Sequence, residues 1–326
     1  MKLTISLSLL FLLFCTSKFT AQDHHENNGF TPSSISHLSV INNQLVDDDG
    51  NPVILRGISY GWHNWWPRFY NSSTVKTFKN DWKVNLVRAA MGVEPDGGYI
   101  DNPAWSLSKI KSVIEAAIEE DIYVIIDWHS HNIKQEEAIA FFTEMAKSYG
   151  DRPNIIYEIF NEPEDQSWDE VKSYSIAVIN AIRAHDPDNI ILVGSPHWCQ
   201  DIHLVADDPI VGYGNLMYTL HFYAGTHKQW LRDRADYALG KGIPIFVSEC
   251  ASMEATGDGP IDHESWNEWL TWMAKHQLSW ATWSVSDKDE TCSMFLPSSS
   301  DTGPWKAHEI KPWGQIVKNS ITQHSK

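Results

Sequence analysis

The stretch Ile155-Ile156-Tyr157-Glu158-Ile159-Phe160-Asn161-Glu162-Pro163 constrains the fold more than any other. Mostly apolar residues run into Asn-Glu-Pro, the pattern of a buried strand that stops at a carboxylate, with a proline to end the pairing. A strand buried on both faces belongs to a parallel sheet, and such sheets keep their chemistry at the strands' carboxyl ends. The segment Ile243-Pro244-Ile245-Phe246-Val247-Ser248-Glu249 repeats the shape, an apolar run that ends on a glutamate.

Strand-like and helix-like segments alternate along the rest of the chain. Residues 56–60, 84–88, 122–127, 155–160, 190–193, 216–220, 243–247 and 279–285 are eight strand candidates. Between them apolar residues fall at helical spacing. Ile110, Val113, Ile114, Ala117 and Ile118 follow an Asn102-Pro103 start, Phe141, Phe142 and Met145 precede Gly150, and Val171, Tyr174, Val178, Ile179 and Ile182 come after Asn-Glu-Pro. This alternation predicts a parallel α/β fold. Eight strands in one domain favour a single (β/α)8 TIM barrel over a doubly wound open sheet, since no Gly-x-Gly-x-x-Gly follows the first strand. Upstream, 40–46 and 52–55 read as strands around the turn 47–51.

Residues 1–21 read as a secretory signal, with Lys2 ahead of the apolar run Leu9–Phe14 and Phe19-Thr20-Ala21 as the cleavage site. Residues 22–36 read as a polar, disordered leader, and 37–326 as the catalytic barrel. A secreted, extracellular, monomeric protein is expected. The formal net charge of −17 argues against nucleic acid or an anionic membrane as partner and suits a neutral substrate. The 16 tryptophans exceed what core packing needs, and a sugar-stacking cleft would use the excess. Cys15 lies in the signal, leaving Cys199, Cys250 and Cys292; Cys250 and Cys292 follow the last two strands, where an oxidising compartment would permit a bridge. Asn71-Ser72-Ser73 is a glycosylation sequon.

Trp65, Arg88, His129, Asn161, Glu162, His221, Tyr223, Glu249 and Trp283 stand at strand ends. Any one of them is explained as a satisfied residue at the barrel top. As a set they bring two carboxylates, a guanidinium, two imidazoles and a phenol to one face, where buried ionisable groups are costly unless paired or used. Two glutamates at two strand ends are the parts a retaining glycosidase needs. Asp127 reads as support for the barrel top. Trp62, Trp82, Trp105, Trp266, Trp269 and Trp272 read as helix or loop packing.

The segments Arg88-Ala89-Ala90-Met91, Gly97-Gly98-Tyr99-Ile100-Asp101, Asp121 to His129, Asn161-Glu162-Pro163, His221-Phe222-Tyr223-Ala224-Gly225-Thr226-His227 and Phe246-Val247-Ser248-Glu249 resemble glycoside hydrolase family 5, and within it the subfamily 2 endo-β-1,4-glucanases. The likeness continues through Ala255 to Gly259 and Lys288-Asp289-Glu290. It implies Glu162 as acid/base and Glu249 as nucleophile. It puts Arg88, His129, Asn161, His221, Tyr223 and Trp283 at the family's other site positions, Trp65 and Trp198 at sugar-stacking positions, and Ala255, Lys288 and Glu290 at the minus subsites. The implied partner is a β-1,4-linked polysaccharide, with no cofactor and no metal. Two positions depart from the pattern. Gly92 stands where a cleft tyrosine is usual, which leaves cellulose, mixed-linkage glucan, xylan and glucomannan as substrates, and Cys250 replaces a common tryptophan.

Arg88 and the Tyr223 hydroxyl are expected to lower the Glu249 pKa, and the Glu249 charge to raise that of Glu162. Asn161 supplies a donor for the sugar 2-hydroxyl and Trp283 a floor for a ring. A metal-dependent barrel hydrolase is the rival enzyme, with His129, His131, His197 and His221 as ligands. A sugar-binding barrel without catalysis is the rival outside enzymes.

Overall fold

The computed structural model describes residues 35–323. The signal assigned to 1–21, and the leader assigned to 22–36 apart from Ile35 and Ser36, lie outside the described residues. A two-stranded antiparallel hairpin, β1 (Ser39–Ile41) and β2 (Gln44–Val46), precedes the main sheet. Eight parallel strands then close a barrel: β3 (Arg56–Tyr60), β4 (Leu86–Gly92), β5 (Tyr123–His129), β6 (Ile155–Glu158), β7 (Ile190–Val193), β8 (Leu216–Tyr223), β9 (Ile245–Ala251) and β10 (Trp280–Val285), with β10 pairing β3 to complete the ring. The predicted (β/α)8 barrel is the observed fold.

The hairpin differs from the expected single strand 40–46. Asn42 and Asn43 both take left-handed φ, 51° and 60°, so the chain reverses there in a two-residue turn whose handedness matches the strand twist. The expected strand 52–55 does not form. Pro52 makes only a bridge to Val46, and the Leu55 N–H donates to the Ser279 hydroxyl at 2.9 Å.

Several barrel strands run further than their apolar runs. β4 continues to Gly92, β5 to His129, β8 to Tyr223 and β9 to Ala251. β9 begins after Pro244, which has no N–H to donate. Side chains two apart along a strand share a face, and the inward column changes character along its length. Leu86 precedes Arg88, Ile125 precedes Asp127 and His129, Ile156 precedes Glu158, and Met217 precedes Thr219 and His221. The first members belong to one apolar cluster at the amino end, with Leu38, Leu45, Leu55, Phe246 and Ala281, and the β1–β2 hairpin packs against it.

Helix Trp168–Arg183 follows Asn-Glu-Pro closely and opens with a capping box. The Ser167 hydroxyl accepts from Glu170 N–H and the Glu170 carboxylate accepts from Ser167 N–H, worth about 1 kcal/mol and enough to fix where the loop after Glu162 lands. Trp266, Trp269 and Trp272 of helix His263–Lys275 are buried, and Trp269 stacks on Phe222 at 3.9 Å. Trp82 is buried too, whereas Trp105 stays partly exposed beside His63. The Asn71 side chain is engaged at both ends, capping helix Ser72–Thr77 and donating to the Asp301 carbonyl at 2.8 Å. The three cysteines outside the signal are free. Cys250 Sγ faces the Ala281 carbonyl and Cys292 Sγ faces Glu290, so the bridge considered from spacing is not made.

Candidate active site

Arg88 is fully buried and organises the carboxyl end of the barrel. Its Nε donates to Glu158 Oε2 at 2.6 Å, Nη1 to Glu249 Oε2 at 3.1 Å, and Nη2 to Asn161 Oδ1 at 2.7 Å, with Asp127 Oδ2 at 3.0 Å from Nη2. A fixed planar fork is the group that can hold partners from three strands and a loop at once. Burial alone would lower the Arg88 pKa; the charges of Asp127, Glu158 and Glu249 outweigh it and raise the pKa.

Glu249, on β9, is held at both oxygens. Oε2 accepts from Arg88 and Oε1 accepts from the Tyr223 hydroxyl at 2.7 Å. Glu162 lies four residues past the end of β6, and its backbone is still tied down. Ile159 N–H donates to the Leu192 carbonyl, Asn161 N–H to Trp128 and Glu162 N–H to Ser130. The Glu162 side chain pairs with His221, Nδ1 to Oε1 at 2.9 Å. His221 reaches Ser248 Oγ with Nε2 at 2.9 Å, and Ser248 donates in turn to Glu158 at 2.6 Å. Ligand atoms of Glu162, His221 and Glu249 all lie within 4.8 Å of one another.

The two carboxylates shift in directions opposite to those expected, while their places at the site stay the same. Burial raises Glu249, the Glu162 charge raises it further, and His221, Arg88 and Tyr223 only partly offset this, so its pKa is raised. Burial also pushes Glu162 up, but the hydrogen bond and charge of His221 win and lower it. His221 itself is raised, because burial is outweighed by Cys199 and by its bonds to Glu158 and Glu162. Two carboxylates this close titrate as a pair. The orientation of His221 decides the split, and no residue spacing reveals that orientation.

Asn161 has its carbonyl oxygen fixed by Arg88, which turns its amide nitrogen toward His129 Nε2, 3.4 Å away. His129 Nδ1 pairs with Asp127 at 2.7 Å, as the supporting role for Asp127 required, and burial holds the ring neutral. Trp283 lies parallel to His129 at 5.1 Å and lines the cleft at the two carboxylates.

Two cavities meet at the carboxylates. One of about 180 Å³ contains both Glu162 and Glu249, with Trp65, Trp283, Lys288, Glu290 and Ala255 among its walls. Lys288 and Glu290 are ion-paired there. The other, about 570 Å³, contains Glu162 without Glu249 and is walled by Trp198, Trp230, His227 and Ala255. Trp198 sits in a left-handed stretch with His197 and Cys199, all three with φ between 50° and 59°, and keeps an exposed ring. Strain of that kind collects where a side chain must be presented. Every predicted site residue is thus at the carboxyl end of the barrel.

Trp62 was expected to pack, yet it lines the smaller cavity, 4.3 Å from His129 and 4.8 Å from Trp65. Gly92 explains its position. A Cβ at 92 would come within 2.7 Å of the Trp62 ring and 2.5 Å of Asn64 Oδ1, so the missing side chain is the space these residues occupy. Glu158 and Ser248 were missed. A lone carboxylate inside a strand otherwise apolar on both faces was the available signal for Glu158. The ligand set of the rival metal site is not gathered. His129 is engaged by Asp127 and Asn161, His131 by Glu164 and His197 by Asp201. Among the described residues, the trio of possible metal ligands that does converge is Glu162, His221 and Glu249.

Residues 46–289 match the model of the cellulase family, glycosyl hydrolase family 5. An endoglucanase of Clostridium saccharobutylicum is 41% identical over 320 residues, 96% of this chain and 70% of that protein. Endoglucanase Z of Dickeya dadantii is 44% identical over 82% of this chain and 64% of its own length. The chain therefore spans about two thirds of the length of these curated relatives. Among solved structures, the catalytic domain of an endoglucanase from Thermobifida fusca, in complex with cellotetraose, superposes with a TM-score of 0.83 at 31% identity, covering 87% of this chain and 97% of that one.

Proposed function

The chain belongs to glycosyl hydrolase family 5, the cellulases, and is a glycoside hydrolase; from that premise we propose that it is a secreted, monomeric, retaining endo-β-1,4-glucanase. The observation that carries this reading is the approach of Glu162 and Glu249, with carboxylate oxygens within 4.8 Å. Retaining enzymes keep their carboxyls about 5–5.5 Å apart, whereas inverting ones need about 6.5–9.5 Å to admit a water. A cavity that holds the pair and a second that continues past Glu162 suit a glycan running through the site, as internal cleavage requires.

Glu249, aimed by Arg88 and Tyr223, attacks the anomeric carbon. The bond to the leaving oxygen breaks, and that oxygen takes the proton of Glu162. His221 Nδ1 lies 2.9 Å from Glu162 Oε1, so the two groups share the proton that the leaving oxygen receives through Glu162. Once Glu249 is esterified its charge is gone. Glu162 then takes a proton from water, the water oxygen attacks the same carbon, and Glu249 leaves as carboxylate with the β configuration restored. The Asn161 amide nitrogen supplies the donor for the 2-hydroxyl, a contact that strengthens in the transition state. Trp283 is the floor under the ring that reacts.

Proton NMR of early products from a soluble β-1,4-glucan tests the mechanism: β-anomers first are expected, and α-anomers first overturn it. In Glu162→Ala, azide should rescue turnover of a substrate with a good leaving group as the β-glycosyl azide. Product analysis on cellulose, mixed-linkage glucan, xylan and glucomannan checks the substrate, with β-1,4-glucan expected to be cleaved fastest.

A further inference from the structure

Trp230 is 41% exposed and has no role in the chemistry above. It is the second residue of helix Gln229–Gly240 and projects into the larger cavity. A large apolar side chain left open to water inside a concave site calls for an explanation in terms of what covers it.

The ring is held rather than loose. The Arg234 guanidinium, one helical turn on, lies 5.0 Å from the ring centroid, and His227 meets it nearly edge-on at 5.6 Å. Arg234 is anchored to Asp201 Oδ1 at 2.5 Å and donates to the Gln200 carbonyl at 3.4 Å. Asp201 also binds His197, the neighbour of Trp198. Asp201, 7% exposed, therefore ties the left-handed turn that presents Trp198 to the helix that presents Trp230. Two exposed indoles in one cavity are braced through a single buried carboxylate.

The carboxylates set the side of the cut, since Ala255 walls both cavities. This cavity contains Glu162, which protonates the leaving oxygen, and not Glu249, which keeps the glycone. The geometry points to Trp230 as a stacking platform for a glucosyl unit of the leaving strand, beyond the unit that contacts Trp198, so that the two tryptophans together bind the leaving chain. The carbon-bound hydrogens of a β-glucosyl ring form an apolar face of the size an indole covers. Arg234 lies over the Trp230 ring, and the ring still keeps exposed surface in the cavity for the sugar. Because both rings are fixed in advance, little side-chain entropy is lost on binding. The inference rests on the proposed glucanase reading and says where that enzyme grips its product.

The test compares Trp230→Ala and Trp230→Phe with the unaltered full chain on two substrates. Cellohexaose reaches across the larger cavity; an aryl β-cellobioside has only its aryl group on that side. Trp230→Ala should lower kcat/KM for cellohexaose about tenfold and leave the aryl cellobioside within about twofold, the loss expected of one stacking contact. Trp230→Phe should recover most of the loss, and the bond cut in cellopentaose should shift in the Ala variant. An unchanged rate on cellohexaose, or an equal fall on both substrates, overturns the platform. Failure of the unaltered protein on both substrates would instead remove the glucanase reading beneath it.

Discussion

The two ends of the barrel are built from the same strands and do opposite things. At the amino end, Leu86, Ile125, Ile156, Met217 and Phe246 meet in an apolar cluster under the β1–β2 hairpin. Two residues further along those inward columns stand Arg88, Asp127, Glu158, Thr219 and Ser248, all fully buried. The apolar end stabilises by removing surface from water, about 25 cal/mol per Å². The polar end takes several charges out of water and recovers the cost only through close pairing. Stability and chemistry are therefore stacked along one axis, a few ångströms apart, and the lower layer carries the upper.

Glu249→Gln breaks the comparison hardest on the chemical side. The amide cannot form the glycosyl ester, yet it still accepts at its oxygen and fits the same space. Turnover should fall on the order of 10⁴-fold or more, as when other covalent nucleophiles are removed. The melting temperature should move far less than in Glu158→Gln, because the Glu249 pKa is raised, so its charge stabilises the fold little, and Arg88 keeps Asp127 and Glu158. Residual activity on an activated aryl glycoside within tenfold of the parent, roughly, would remove Glu249 as nucleophile.

A matched pair of substitutions tests whether the layers are separable. Ile125→Ala should cost about 2–5 kcal/mol of stability by opening a cavity, with kcat nearly unchanged where the protein is folded. Glu158→Gln should cost a similar amount, about 3–5 kcal/mol, because it leaves the buried Arg88 charge short of a partner. It should also lower kcat, since Arg88 aims Glu249. Burial alone would raise the Glu158 pKa, but Arg88 and His221 outweigh it and hold the group at about 2, against an ordinary 4.5. A depressed carboxylate adds stability that is full above its unfolded pKa and is lost as the pH falls through the folded one. The Glu158 contribution should thus be complete above about pH 4.5 and disappear between there and about pH 2. Denaturant midpoints across that window should converge for the parent and Glu158→Gln. A gap that stays constant with pH would show that Glu158 acts by packing alone.

The sequence made the lower layer plainer than the upper. Apolar runs at 122–127, 190–193 and 216–220 marked strands because burial on both faces leaves a continuous signal. The same signal ended early at 127, 220 and 247, where the strands go on through His129, His221 and Ser248-Glu249, and at 88 it ended on Arg88 itself although Ala89 to Gly92 continue the strand. Asn42-Asn43 was read through because the flanking residues look extended on both sides. Glu162 and Glu249 were legible from their positions, but their relative pKa values were not, since these depend on His221 Nδ1 facing Glu162. Trp62 was misread for a related reason. Its place depends on the space at Gly92, thirty residues away.

The smallest expected effect concerns the cysteines, which bear on the comparison because Cys250 and Cys292 both lie in the chemical layer. A bridge between them would close a loop of about 40 residues and, on the chain-entropy model, stabilise by about 4 kcal/mol. That would make the upper layer a source of stability in its own right. The thiols are instead buried and separately engaged. Cys250 meets the Ala281 carbonyl and Cys292 meets Glu290, an ion-pair partner of Lys288 in the smaller cavity. Reductant should therefore leave the melting temperature where it was, and thiol titration of the unfolded, unreduced protein should detect both groups. Cys250→Ala should cost about 1 kcal/mol, the loss of one small buried side chain. If reductant instead lowered the melting temperature by several degrees, the chemical end would be held by a covalent tie, and the division between the two ends would fail at that point.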